Sequence, residues 1–138
     1  MKNTLIVDIE ERRVRSLSGT YAGRIHDKRI CDEEDYTFPP GCVLFKETGF
    51  QGFEPEQVAT YQPQKKPRNH ALSAEAQAEN QIMSSIRILV EHVIAGGKRC
   101  RIVHDVLRNT KAHFDDLVME IACGLHNFRT ALRYNMVE

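Results

Sequence analysis

The chain has 138 residues, which is enough for one domain with its own core and too few for two. Lys plus Arg equal Asp plus Glu at 19 each, so the net charge is zero and no global field indicates a nucleic-acid partner. No apolar run approaches the roughly 18 residues of a membrane span, the N-terminus lacks the features of a signal peptide, and the four cysteines form no CxxC pair, which indicates reduced thiols in a cytosolic protein.

The first half of the chain is predicted to be rich in short strands. Residues 4–9 are β-branched and almost wholly apolar, which predicts a buried strand, and residues 14–17 predict its hairpin partner after a charged turn. Residues 25–34 predict a short helix with Asp27 near its start, where a carboxylate suits the helix dipole. Beyond the FPPG stop, residues 42–46 and 57–61 predict two more short strands.

The second half is predicted to be a basic loop followed by two long helices. Residues 63–72 are polar, basic and proline-bearing, and Ser73 is a suitable N-cap for a helix that runs to about residue 95. There, Gly96 and Gly97 end or loosen the helix. The last helix, residues 111–133, carries an apolar stripe that we interpret as core packing: Phe114, Leu117, Val118, Ile121, Leu125 and Phe128. The single predicted domain thus has a strand-rich part, 1–62, the loop, and a helical part, 73–134.

One carboxylate in the first long helix lies opposite its apolar side. At 100° per residue, Glu91 shares a stripe with Arg87 and Lys98. One interpretation is a solvated face with an ion pair worth about a few tenths of a kcal/mol, and geometry alone favours it. The other is a metal ligand between two cations, since Mg²⁺ prefers oxygen ligands and two such ions can clamp a phosphodiester displacement. If Gly96 and Gly97 break the helix, Lys98 leaves this face.

The order of several motifs resembles one protein family. The spacing Arg87-x₃-Glu91-x₆-Lys98 resembles the R-x₃-E-x₆-K signature around the catalytic Glu of DDE transposases of the insertion-sequence and Harbinger-like type. Five segments of this chain, in order, resemble consecutive segments of the family and together cover essentially the whole chain. They are TYAGRIHDKRI, LFKETGFQGF, QPQKKPR, SSIRILVEHVIAGGKR and DDLVMEIACGLHNFR. The resemblance implies an α/β, RNase H-like fold with a mixed sheet in strand order 3-2-1-4-5. It also implies divalent metal ions, Mg²⁺ or Mn²⁺, for hydrolysis of transposon ends and strand transfer.

Residue by residue, the resemblance implies an incomplete catalytic and metal site. Glu91 matches the third carboxylate of the family, and Asp27 matches its H-D aspartate. The second carboxylate falls on Glu47 rather than Asp, which shifts the carboxyl group by one methylene where sites tolerate about 0.5 Å. Asp8 resembles the first catalytic Asp but lies in a stretch that matches the second and third strands. The chain is therefore expected to be the C-terminal part of a transposase, starting after the first Asp and the central strand.

A missing central strand has consequences for folding. Without it, the two strand groups share no neighbour and expose unpaired edges. We expect the chain to fold poorly alone, or the strand groups to pair directly, or a partner to supply the strand.

Three hypotheses for the function stay open. The first is an endonuclease that is active only when complemented, the second a non-catalytic DNA-binding remnant, and the third an inert fragment. The expected partners are DNA, and full-length transposase or a second copy of the chain, with no membrane. The expected location is the cytoplasm, or the nucleoid when DNA is bound. The candidate DNA-binding residues are Lys65, Lys66, Arg68, Arg87, Lys98, Arg99 and Arg101.

Overall fold

The computed structural model describes residues 1–105 and 108–135 and is α/β, with small sheets and several helices. The strands are β1 (Leu5–Asp8), β2 (Arg13–Leu17), β3 (Val43–Phe45) and β4 (Ala59–Tyr61). The helices are α1 (Asp27–Glu34), α2 (Ala74–Gly97), α3 (Arg101–His104) and α4 (Phe114–Asn135), with a 3₁₀ turn at Thr48–Phe50. No helix in the described ranges has the length and apolarity that a membrane span requires.

The chain divides into two compact units. The first unit is Met1–Gly23 together with the chain from Ile88 onward, and the second unit is Arg24–Arg87. Over the described residues, the strands form two separate sheets of two strands each, β1 with β2 and β3 with β4. The expectation that the two strand groups pair directly is therefore wrong for this part of the chain. An open strand edge needs other hydrogen-bond partners, and a side chain of α4 supplies some of them.

The predicted hairpin is confirmed in the first unit. β1 and β2 are antiparallel, with Leu5 opposite Leu17 and Asp8 opposite Arg13. The turn between them is closed by Asp8, because its Oδ1 accepts from the backbone N–H groups of Glu10 and Glu11 at 3.0 Å each. These donors, Glu11 first, hold the pKa of Asp8 below its usual value. The core of the unit is made by Val14, Val93 and Cys123, with Leu5, Val7 and Leu17 packed against it.

The apolar stripe of α4 was expected to be core, and for most of its members that expectation is wrong. Val118 is buried and Phe114 half-buried, but the other four members are 46–62% exposed: Leu117, Ile121, Leu125 and Phe128. Instead, α4 is rotated so that Asn127 meets the open edge of β2. Its Oδ1 accepts from the N–H of Val14 and its Nδ2 donates to the C=O of Val14, both at 2.8 Å. Satisfying these backbone groups fixes the rotation of α4.

Both ends of α2 are as predicted, and Gly96 has a second role in packing against α4. Ser73 Oγ accepts from the N–H of Ala76 at 3.2 Å, which confirms the N-cap. The helix ends at Gly97, so Lys98 lies beyond its last residue. A Cβ on Gly96 would collide with the ring of His126 on α4, and Gly96 O accepts from Arg129 Nη2 at 3.1 Å. Gly96 therefore permits the close approach of α2 and α4. The short helix α3 was not predicted.

The second unit combines α1 with the parallel pair β3 and β4. His26 caps α1, since its side chain accepts from the N–H of Lys28. The rings of Phe45 and Tyr61 stack across the two strands with centroids 5.8 Å apart. The buried side chain of Lys46 donates to Phe53 O at 2.7 Å and to Glu54 Oε1 at 2.5 Å.

Candidate nucleic-acid interface and carboxylate cluster

Asp27 and Glu47 are carried by neighbouring elements of the second unit. Asp27 is the first residue of α1, and Glu47 directly precedes the Thr48–Phe50 turn, which packs against α1. A Cβ built on Gly49 would lie only 2.6 Å from Asp27 Oδ2. The absence of a side chain at Gly49 thus allows the Asp27 carboxylate to reach the turn that Glu47 begins.

Glu47 is oriented by the burial of its neighbour. Lys46 points inward to Phe53 and Glu54, so the alternation of a strand turns Glu47 outward, where its side chain is 62% exposed. There its Oε1 lies 3.5 Å from Nε of Arg87 on α2. An exposed ion pair of this kind contributes less than about 1 kcal/mol. The pair matters for the local charge rather than for stability. The negative charge of Glu47, the predicted second carboxylate, lies next to the positive charge of Arg87, the Arg of the predicted R-x₃-E-x₆-K signature.

Glu91 is exposed on α2, one helical turn after Arg87. Glu91 belongs to the first unit, whereas Asp27 and Glu47 belong to the second, so the three predicted carboxylates do not come from one unit. Among the described residues, no group of three or more His, Cys, Asp or Glu side chains is arranged to hold a metal ion.

The basic loop is anchored to α2 and borders the turn that follows Glu47. Asn80 Oδ1 accepts from the N–H of Gln64 at 2.9 Å, and its Nδ2 donates to Gln64 O at 3.0 Å. Lys65 follows directly after this anchored residue. A shallow groove of about 300 Å³ is lined by Thr48, Gln51, Gln62, Pro63, Gln64 and Lys65. The anchor thus holds a cation beside the Thr48–Phe50 turn.

The other basic candidates are all exposed and lie in both units. Lys66 and Arg68 continue the loop of the second unit. The remaining group, Lys98, Arg99 and Arg101, belongs to the first unit around the start of α3. Nε of Arg101 lies 3.7 Å from a carboxylate oxygen of Asp105, which partly neutralises it. The basic loop is therefore the group for which the structure supplies an adjoining groove.

Two positioning residues of this region were not singled out from the sequence. Gly49 lies in the GFQG motif, and its requirement for space follows only from the packing of α1 on the turn. Asn80 is a polar residue within a helix, and no local signal pairs it with Gln64, sixteen residues earlier. The position of Gly49 within the GFQG motif is a sequence signal for its role, whereas no sequence signal indicates the role of Asn80.

Comparisons with known proteins agree on one family. A family model described as DDE superfamily endonuclease matches residues 2–127. The "Probable transposase for insertion sequence element IS702" of Microchaete diplosiphon is 28% identical over 133 residues, which covers 96% of this chain and 48% of that protein. The chain thus spans about half the length of this curated relative. No solved structure matches the chain.

Proposed function

This chain belongs to the DDE superfamily endonucleases, and from that premise we propose that it is a DNA-binding part of a transposase-type nuclease whose set of catalytic carboxylates is incomplete. Membership implies DNA as the partner. The similarity to a transposase over nearly the whole chain supports this assignment. We also propose an RNase H-like arrangement. It is supported by two strand pairs among the described residues, β1 with β2 and β3 with β4. Both match neighbouring pairs in the order 3-2-1-4-5, namely 3-2 and 4-5.

The observation that carries the proposal is the groove shared by Lys65 and the turn after Glu47. Backbone phosphates supply most of the sequence-independent affinity of a DNA-binding protein. Because the net charge of the chain is zero, such affinity has to come from a local cluster of cations. In our proposal, Lys65 and Lys66 hold a DNA phosphate at the groove, and the Asn80 anchor keeps the loop in place.

Binding rather than cleavage is proposed because of the state of the carboxylates. The family generally uses divalent metals, whereas the described residues offer no group of three ligands. Arg87 already faces Glu47. In this proposal the role of Arg87 is to neutralise Glu47, which lowers the repulsion between Glu47 and a bound phosphate.

The test is the salt dependence of DNA binding. Fluorescence anisotropy of a labelled duplex is followed from about 50 to 200 mM salt for the unchanged protein and for Lys65→Ala. Loss of one phosphate contact should reduce the slope of log K against log salt by about 0.9. Lys111→Ala is the matched control, since it removes the same charge from another exposed lysine. Failure of the unchanged protein to bind at about 50 mM salt, or equal slopes for the two variants, contradicts the proposal.

A residual nuclease is the second candidate, and the approach of Asp27 to the turn after Glu47 favours it. Its test is the nicking of supercoiled DNA with Mg²⁺ or Mn²⁺ added, for the unchanged protein and for Glu91→Gln. Glu120→Gln is the control, because it makes the same change at another exposed glutamate, on α4. Nicking that is lost only in Glu91→Gln would establish cleavage and refute the incomplete site.

A further inference from the structure

Gln62 carries a buried hydrogen-bond acceptor that no donor of the fold satisfies. The residue directly follows β4 and is half-buried. Its Oε1 is shielded from solvent, and within the described residues it has no hydrogen-bond partner. Buried acceptors in native proteins are nearly always paired, and an unpaired one destabilises the fold. A donor from another molecule would satisfy this oxygen.

Two polar side chains of this region are engaged elsewhere and do not serve Gln62. Lys46 directly follows β3, the strand paired with β4, but its Nζ donates to Glu54 Oε1. Gln64 is the next residue but one, and its Nε2 donates to Glu79 Oε2 at 2.9 Å. The arrangement of these donors therefore leaves the acceptor of Gln62 available.

The groove beside the basic loop gives another molecule access to this region. Its volume is about 300 Å³, and it is lined by Thr48, Gln51, Gln62, Pro63, Gln64 and Lys65. This volume lies at the lower end of the roughly 300–1,000 Å³ of small-molecule sites. The amide of Gln62 ends a flexible side chain, and turning it breaks no hydrogen bond to Oε1. The amide can therefore present Oε1 to a group that enters the groove.

The cation in the same groove restricts what that group can be. Lys65 lies three residues after Gln62 and lines the same groove. In the proposed function, on which this inference rests, Lys65 holds a DNA phosphate. A phosphodiester has only acceptor oxygens, so it cannot donate to Oε1 of Gln62. The N–H donors of DNA belong to its bases, so the two residues bind different parts of a nucleotide.

The recessed position of Oε1 indicates a base that has left the stack. Base edges within a duplex are read by side chains that protrude into a groove of the DNA. An acceptor in the wall of a protein groove is reached only by a base that enters this groove. An amide binds adenine with both ends, since it accepts from the amino group and donates to a ring nitrogen.

We propose that the groove takes an unpaired base with an exocyclic amino group, adenine above all. Gln62 Oε1 accepts from this amino group, while Lys65 holds a phosphate of the same strand. Phosphate contacts position a nucleic acid, and base contacts select its sequence. Lys65 therefore contributes affinity, and Gln62 is the residue that determines specificity.

The test compares adenine with purine, which is the same base without the amino group. Fluorescence anisotropy measures the binding of single-stranded oligonucleotides that contain one or the other base. The unchanged protein should bind the adenine strand on the order of tenfold more tightly, and Gln62→Leu should bind both strands equally. Gln81→Leu is the matched control, because it makes the same change at an exposed glutamine on α2 and should keep the preference.

The outcomes separate this inference from the proposed function. Equal binding of both strands by the unchanged protein, or a preference that survives in Gln62→Leu, overturns the base contact. The proposed function still stands in that case if the salt dependence of binding changes in Lys65→Ala. Lys65→Ala should weaken the binding of both strands to the same extent. Absence of any DNA binding overturns both proposals.

A second measurement tests the unpaired acceptor without DNA. If Oε1 has no partner within the fold, Gln62→Leu removes a buried polar atom without breaking a hydrogen bond. The midpoint of urea unfolding should then stay the same or rise, which also shows that this variant is folded in the binding test. A lower midpoint would mean that Oε1 is bonded within the fold, and it would overturn the proposal.

Discussion

Replacing Gly96 with alanine tests the close approach of α2 and α4. The added methyl group would overlap Nδ1 of His126 and lie 2.6 Å from its Cε1. The ring has little freedom to move away, because its Nε2 is hydrogen-bonded to Arg12 O at 3.0 Å. Either this bond breaks or the two helices separate, and separation also strains the bond from Arg129 to Gly96 O.

The expected magnitude follows from three contributions. Overpacking costs about 1–3 kcal/mol, and loss of the His126 hydrogen bond costs about 1 kcal/mol. Alanine in place of glycine in a helix returns about 1 kcal/mol. The free energy of unfolding should therefore fall by about 1–3 kcal/mol in Gly96→Ala. In Gly97→Ala it should rise by up to about 1 kcal/mol, since no heavy atom lies within 4 Å of a Cβ there.

Urea unfolding followed by far-UV circular dichroism measures both variants, and unchanged m-values make the comparison valid. The double variant Gly96→Ala, His126→Ala should be less destabilised than the sum of the two single variants, since removing the ring removes the overlap. If the Gly96→Ala variant is as stable as the Gly97→Ala variant, the conclusion that Gly96 lies in close contact with His126 is refuted.

Two further predictions concern polar contacts of α4. Asn127→Leu removes both hydrogen bonds to Val14 and should lower the free energy of unfolding by about 2 kcal/mol. Urea unfolding measures this change. An unchanged midpoint of unfolding would contradict the role of Asn127 in orienting α4. Hydrogen bonds from Thr20 first, and from His113 next, hold the pKa of Asp116 below its ordinary value of 3.8. The Asp116 carboxylate therefore stabilises the fold above that value, and this contribution is lost as the pH falls through the lowered pKa. Asp116→Asn should accordingly be less sensitive to pH below about 4, and acid unfolding that is identical in the two proteins would refute this.

The sequence supplied candidate residues for the site but not their surroundings. The family resemblance implies that Glu91, Glu47 and Asp27 are its carboxylates, and this stays a prediction. The sequence could not show that Gly49 opens space for Asp27, nor that Arg87 faces Glu47. Both contacts join elements that are distant along the chain, and their geometry depends on how α1, the Thr48–Phe50 turn and α2 pack.

The same division holds for the fold. Local patterns determined the hairpin, the short helix α1, the basic loop and both ends of α2, since period-two alternation, a capping serine and paired glycines act within a few residues. The rotation of α4 was decided only by tertiary structure. An amphipathic pattern states which residues are apolar, whereas the face that is buried depends on what the partner requires. Here the partner is an open strand edge with polar backbone groups, and Asn127 satisfies Val14 from 113 residues away. The most regular apolar stripe of the sequence is consequently left on the outside.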